Sequence, residues 1–229
     1  TLDAEGKIDF ADKSVTENTR VSYPINHIQN IVRPISSAPA AKNVIFLSAD
    51  AFGVLPPVSR LGNDMAMFHF VSGYTSKLAG TERGITEPQT TFSTCFGAPF
   101  LPLEPSVYAK MLGERIEKNN SRVFLINTGW SGGPYGVGSR IKLKYTRAMV
   151  AAAISGELDN VEYKLDDIFN VYIPQSCPNI PEEILNPVNT WNDKVAYEKT
   201  AKELAGKFNE NFKKYAHMPE NIVKAGPNY

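Results

Sequence analysis

Residues 127 to 141 read NTGWSGGPYGVGSRI, five glycines within ten positions followed by an arginine. A glycine-rich loop behind a strand can turn successive backbone N–H groups toward a phosphate. A phosphate loop of the G-x-x-x-x-G-K-[ST] kind also needs a lysine for the β and γ phosphates and a hydroxyl for magnesium. Here Gly138 is followed by Ser139 and Arg140, and the loop's G-x-G occurs only at Gly136 to Gly138, so neither nucleotide fingerprint is complete. The plainer alternative is a mobile connection that uses glycine for positive φ.

Other residues could do chemistry. Arg20, in ENTRVSYP, carries a guanidinium able to grip phosphate or carboxylate through two parallel bonds, although a lone arginine is commonly a solvated or structural residue. Glu82, Arg83 and Glu87 lie in a polar stretch where carboxylates could act as acid or base, or simply face water. His27, His69 and His217 have no second histidine or carboxylate at metal-ligand spacing and read as structural. Cys95 and Cys177 stand 82 positions apart with no C-x-x-C spacing, which argues against a disulfide framework or a zinc site. Both are expected to be reduced and partly buried.

The elements that must position these residues are legible in part. NVIFLS (43 to 48) and RVFLIN (122 to 127) are apolar, β-rich runs that read as buried strands, the second ending at the glycine loop. Pro56 and Pro57 stop the first strand and can start a helix. From Ser59 to Leu78, Met65, Phe68, Val71 and Leu78 fit one helical face, interrupted by Gly73. Residues 79 to 98 show no period and read as a binding loop or lid. Helices are expected over Pro105 to Lys118, Tyr145 to Ile154 and Lys194 to Tyr215, the last with Ala196, Ala201, Leu204, Phe208 and Phe212 inward. Residues 161 to 190, broken by Pro174, Pro178, Pro181 and Pro187, read as irregular, and the first twenty as a polar hairpin, GKIDF then DKSV. Strand, loop, helix repeated in this order is α/β, with ligands expected at loops off the strand ends.

Composition limits the partners. The 229 residues suffice for a sizeable core, and 24 Lys and Arg balance 24 Asp and Glu. That balance supplies no basic footprint for nucleic acid, and no apolar run reaches the roughly 18 residues of a membrane span. Neither nucleic acid nor membrane is expected as a partner, and with no signal pattern a cytoplasmic location is expected. The sequon at Asn119 reads as coincidence.

Several segments together resemble the ATP-dependent phosphoenolpyruvate carboxykinases: ENTRVSYPI (17 to 25), FLSADAFGVLPPVSRL (46 to 61), GYTSKLAGTERGITEP (73 to 88), TFSTCFGAPFL (91 to 101), and NTGW with its glycine loop and SRIKLKYTRA (127 to 148). The likeness continues to AGP at 225 to 227. It implies a lyase of gluconeogenesis or of the reverse carboxylation. Oxaloacetate and ATP give phosphoenolpyruvate, CO2 and ADP, and the enolate left by decarboxylation takes the γ-phosphoryl group. Arg20 is implied to bridge the γ-phosphate and the substrate. Arg140, Ile141 and Thr146 are implied to contact the adenine and ribose, by stacking, packing and hydrogen bonding. Lys77, Gly80, Thr81, Glu82, Arg83 and Gly84 are implied to belong to a lid that excludes water.

The family's GK[ST] loop, the ligands for Mn2+ and Mg2+, and the substrate-gripping arginine precede Arg20 in family order and are not in this sequence. The chain is therefore expected to be the C-terminal part of a P-loop-containing mononucleotide-binding domain, with a mixed sheet, a lid loop and flanking helices. It is expected to be inactive alone, with the remaining N-terminal part of the same enzyme as its partner. The glycine loop is somewhat longer than the resemblance leads one to expect, and SRI stands where KRI is common. The other reading is a non-catalytic nucleotide-binding or regulatory module derived from the family.

Overall fold

The structure, a computed structural model, describes residues 1–9, 12, 14, 22–35, 37–78 and 84–229. They fall into two units: Thr1–Ala40 with Lys77–Gln89, and Ala41–Ser76 with Thr90–Tyr229. The first is built from turns. Asp3 Oδ1 accepts hydrogen bonds from the Glu5 and Lys7 amides, closing a tight loop under a Leu2–Ile8 bridge, and a short 3-10 turn spans Ile25–His27. The hairpin expected from GKIDF and DKSV falls in large part outside the described residues.

Regular structure otherwise runs in chain order as β1 (Asn43–Ser48), β2 (Val58–Leu61), α1 (Asn63–Ser72), β3 (Tyr74–Lys77), β4 (Gln89–Phe92), α2 (Pro105–Asn119), β5 (Arg122–Asn127), β6 (Trp130–Ser131) and β7 (Ser139–Arg140). It continues with α3 (Leu143–Ser155), β8 (Tyr163–Leu165), β9 (Tyr172–Pro174), α4 (Glu182–Leu185), α5 (Lys194–Phe212) and α6 (Glu220–Val223). The main sheet has the order β1-β5-β2-β9-β8, with β1 and β5 parallel and the remaining neighbours antiparallel. It is a mixed sheet in an α/β chain, as expected. Two small sheets, β3–β4 and β6–β7, stand apart from it.

Strand β5 shows why the core has two halves. Successive side chains of a strand point to opposite faces. Val123 and Leu125 join one apolar cluster with α1, α2 and α5, while Phe124 and Ile126 join another with Met149, Ala152 and Ala153 of α3 and Leu185 of α4. With both faces covered, β5 must be apolar throughout its centre, and it is.

Two sequence expectations are corrected. The run from Ser59 to Leu78 is not one helix. Val58–Leu61 is a strand paired with β5, α1 begins only at Asn63, and Gly73 at φ +56 ends it before β3. The helical pattern misleads because α1 is buried on most of its sides, so its apolar residues mark no single face. Residues 161 to 190 are not irregular throughout: β8 and β9 complete the edge of the main sheet, and three-residue strands are too short to show a period. Within 79 to 98, β4 pairs with β3, and 3-10 turns follow at Thr94–Phe96 and Ala98–Phe100. The long helix near the end is seen as α5, capped by Asp193, whose carboxylate accepts the Val195 and Ala196 amides.

Both cysteines are free and buried, and burial pushes each thiol up to about 11. His69 is buried on α1 against Phe68 and Phe208, and that burial holds its imidazole down at about 4.

Candidate functional site

Because β1 and β5 are parallel and in register from Asn43 with Arg122 to Ser48 with Asn127, their carboxyl ends lie at one edge of the sheet. The segments that follow them, 49 to 57 and 128 to 141, emerge side by side. In open α/β sheets this edge is where ligands bind.

The two segments are tied together by a buried polar knot. Asp50 is fully buried. Its Oδ1 accepts from the Phe52 amide at 2.9 Å and the Tyr74 hydroxyl at 2.9 Å, and its Oδ2 from the Val54 and Leu55 amides at 2.8 and 2.9 Å. These donors fill the acceptor capacity of a carboxylate. Burial, and then the neighbouring Asp50, push the Tyr74 phenol well above its usual range. Asn127 completes the knot: its Oδ1 accepts the Asp50 and Gly129 amides at 2.9 and 2.8 Å, and its Nδ2 donates to the Leu55 carbonyl at 2.9 Å.

This packing explains the glycine at 129. A Cβ there would lie 2.1 Å from the Asp50 carbonyl oxygen and 2.3 Å from its nitrogen, so no side chain fits. Several of the loop's amides are also committed. Thr128 donates to Ser48 O, Trp130 to Asp50 O, Tyr135 to Ala51 O, Gly138 to Pro134 O and Ile141 to Gly129 O. A phosphate cradle needs free N–H groups converging on the anion. Here they are used to fold the loop onto its neighbour.

What the loop does form is one wall of a cleft of about 320 Å³. Ser131, Gly132, Ser139, Arg140, Ile141 and Lys142 line it, with Tyr145 of α3, Ile184 of α4 and Thr190. Strand β6 pairs with β7, Trp130 opposite Arg140 and Ser131 opposite Ser139. Arg140 is exposed but not slack: its Nε donates to the Thr128 carbonyl at 3.1 Å, and its guanidinium lies over the Trp130 ring at 5.7 Å. Ile141 is buried in the cluster beneath, beside Tyr145 and Ile184. The cleft therefore combines an apolar floor, an aromatic ring, hydroxyls, and two cations at its rim. Such a set of groups can pack against a flat ring and hydrogen-bond to its edge.

Of the residues singled out in the sequence, Arg140 and Ile141 are thus brought together. Thr146, in the first turn of α3, is partly buried and is not among the residues lining the cleft. Lys77 ends β3, and Gly84 is exposed at φ +84. Arg20, Gly80, Thr81, Glu82 and Arg83 lie outside the described residues. Asp50, Asn127 and Thr190 are additions that the structure makes. Asp50 carried a readable signal, an aspartate just past a strand and ahead of glycine, where its side chain can collect the amides that follow. Thr190 carried none. Among the described residues no three His, Cys, Asp or Glu side chains come together as a metal site, and no helix is long and apolar enough to cross a membrane.

A mixed α/β sheet with a cleft at its strand ends defines a broad class of ligand-binding domains, and comparison with known proteins narrows it. The chain belongs to the phosphoenolpyruvate carboxykinase family, whose model matches residues 1–183. It is 63% identical over 226 residues to the phosphoenolpyruvate carboxykinase (ATP) of Caldanaerobacter subterraneus subsp. tengcongensis, covering 98% of this chain and 43% of that protein. It is 61% identical over 225 residues to the protein of the same name from Fusobacterium nucleatum subsp. nucleatum, covering 97% and 42%. To that from Geobacillus thermodenitrificans it is 61% identical over 224 residues, covering 98% and 42%. The chain thus spans less than half the length of these relatives.

Proposed function

We propose that this chain supplies the adenine-side pocket of an ATP-dependent phosphoenolpyruvate carboxykinase, a carboxy-lyase acting on oxaloacetate. The products are phosphoenolpyruvate, CO2 and ADP, and the reaction runs in either direction. The observation that carries the reading is the cleft at Arg140 and Ile141. It is built on the motif that resembles the family's base-binding segment, and its groups can pack against a flat ring and hydrogen-bond to its edge. In this reading the chain is the C-terminal part of the nucleotide-binding domain, and the phosphate loop comes from the polypeptide that the longer relatives have beyond the region matched here.

Each residue has a physical task. Arg140, held by Thr128 O and by Trp130, offers a pre-positioned guanidinium face to the base, so little freedom is lost on binding. Ile141 and Ile184 keep water from beneath the ring. Thr146 is assigned a hydrogen bond on the ribose side. Arg20 is assigned the bridge between γ-phosphate and substrate, where a bidentate cation both aligns the groups and offsets their charge. The segment from Lys77 to Gly84 is assigned the lid, which would keep water from intercepting phosphoryl transfer or the enolate. Mn2+ and Mg2+ are implied by the family likeness. The described residues of this chain do not fit them, so its tasks are grip, alignment and exclusion of water.

The test is a split in steady-state constants, measured in the protein expressed from its complete gene. Arg140→Ala should raise the KM for ATP roughly tenfold, the worth of a partly desolvated cation–π contact, and leave that for oxaloacetate unchanged. Arg20→Gln should instead lower turnover by orders of magnitude with the fold intact. Near-normal turnover in Arg20→Gln would remove that residue's role, and an unchanged ATP KM in Arg140→Ala would remove the cleft's. The non-catalytic alternative predicts nucleotide binding without carboxykinase turnover in the unaltered protein.

A further inference from the structure

The segment Pro187–Thr190, a 3-10 turn, reaches the cleft from nearly 60 residues beyond Ser131 in sequence. Thr190 lines the cleft, and its hydroxyl is fully used. It donates to the Pro187 carbonyl at 2.8 Å and accepts from the Gly132 amide at 3.0 Å and the Ser131 hydroxyl at 3.2 Å. One donor and two acceptor positions are all that a hydroxyl has. The turn is anchored independently of the cleft. The next residue, Trp191, is buried, donates from Nε1 to the Gly53 carbonyl at 2.8 Å, and stacks edge-on with Tyr197 at 5.8 Å.

We infer that Thr190 is a positioning residue for the nucleotide cleft: it fixes Ser131 and Gly132, and through the pairing of β6 with β7 it fixes Ser139 and Arg140. Gly132 has no side chain with which to anchor itself, and its amide has its partner in Thr190. Without the hydroxyl, that amide and the Ser131 hydroxyl lose this partner at once, and the wall carrying Arg140 is free to shift relative to Ile141 and Tyr145. The threonine acts on the ligand through this wall, and the inference rests on the reading that the cleft takes the base of a nucleotide.

The experiment compares Thr190→Val, Thr190→Ser and Arg140→Ala with the unaltered protein, each expressed from the complete gene. Titration calorimetry is performed with ATP and, separately, with inorganic triphosphate. Val keeps the shape and removes the hydroxyl, so the ATP dissociation constant should rise roughly tenfold, as expected when a half-buried amide loses its acceptor. Triphosphate binding should be unchanged, and Ser should restore ATP affinity. A residue that merely supports the fold would weaken both ligands and would lower the melting temperature in step. That result overturns the inference, as does an unchanged ATP affinity in Thr190→Val while Arg140→Ala binds ATP more weakly. If Arg140→Ala also binds ATP normally, the cleft reading itself falls and the inference falls with it. Should Thr190→Val not fold, Thr190→Ala gives the same comparison.

Discussion

On one face of the main sheet, Phe68, Phe208 and Phe212 close around His69 and Tyr74, with Phe68 and Phe212 stacked at 4.2 Å. On the other, Phe124 and Ile126 meet the small alanines of α3, and the cover thins toward the strand ends, where Ile141, Tyr145 and Ile184 border the cleft. The same strands feed both faces. The difference lies in what covers them. α1, α2 and α5 are long or largely buried, and they cover the first face with large rings. α4 and the 3-10 turns that reach the second face are short, and they leave a gap lined by polar groups. One face gathers the large rings around His69, and the other carries the cleft at Arg140 and Ile141.

If that division is right, substitutions on the two faces must separate in their effects. Phe208→Ala removes a ring with no exposure from the centre of the first face. It should cost about 3–5 kcal/mol of unfolding free energy, read from denaturant midpoints, with ATP affinity per folded molecule unchanged. A loss of ATP affinity would show that the faces are coupled and blur the distinction.

His69 gives the next largest effect, and it depends on pH. Folded, its pKa is held at about 4 by burial, against 6.5 when free. The unfolded chain therefore binds a proton first as pH falls. Stability is fully present above about pH 6.5 and is lost progressively toward pH 4, by about 3 kcal/mol in all. His69→Leu should lack this component, so the gap between the two proteins' pH profiles isolates it. A gap that is constant across that window would mean that His69 is not held neutral by the core.

Arg140→Ala should have the smallest effect on stability, within about 0.5 kcal/mol as for an exposed residue, and yet change ligand affinity. Large effects on stability on one side and on affinity alone on the other are the signature of the division.

The legibility of these parts in the sequence follows the same physics. β1, β5, α2 and α5 were readable because each carries its own pattern over six or more residues. β2 was not, since its VSRL lies directly behind two prolines and runs into a helix whose residues are buried on nearly every side. β8 and β9 are three residues each and exist because neighbouring strands supply their partners. In the candidate site, the glycine loop and its lack of a phosphate lysine could be picked out locally, whereas Arg140 and Ile141 were reached through the resemblance of SRIKLKYTRA to the family. The use to which the glycines are put could not. Gly129 is small because Asp50 lies against it, and those residues are 79 apart. Thr190 is still further beyond reach, because an isolated threonine in a proline-rich stretch has no pattern. Only the fold brings its hydroxyl to Gly132.

The central claim is that the cleft at Arg140 and Ile141 meets the base end of a nucleotide and not its phosphates. Calorimetric titration of ATP and of inorganic triphosphate into the unaltered protein and Arg140→Ala tests it most directly. Arg140→Ala should bind ATP roughly tenfold more weakly and triphosphate as before. Equal losses for both ligands would place Arg140 at the phosphates and contradict the account.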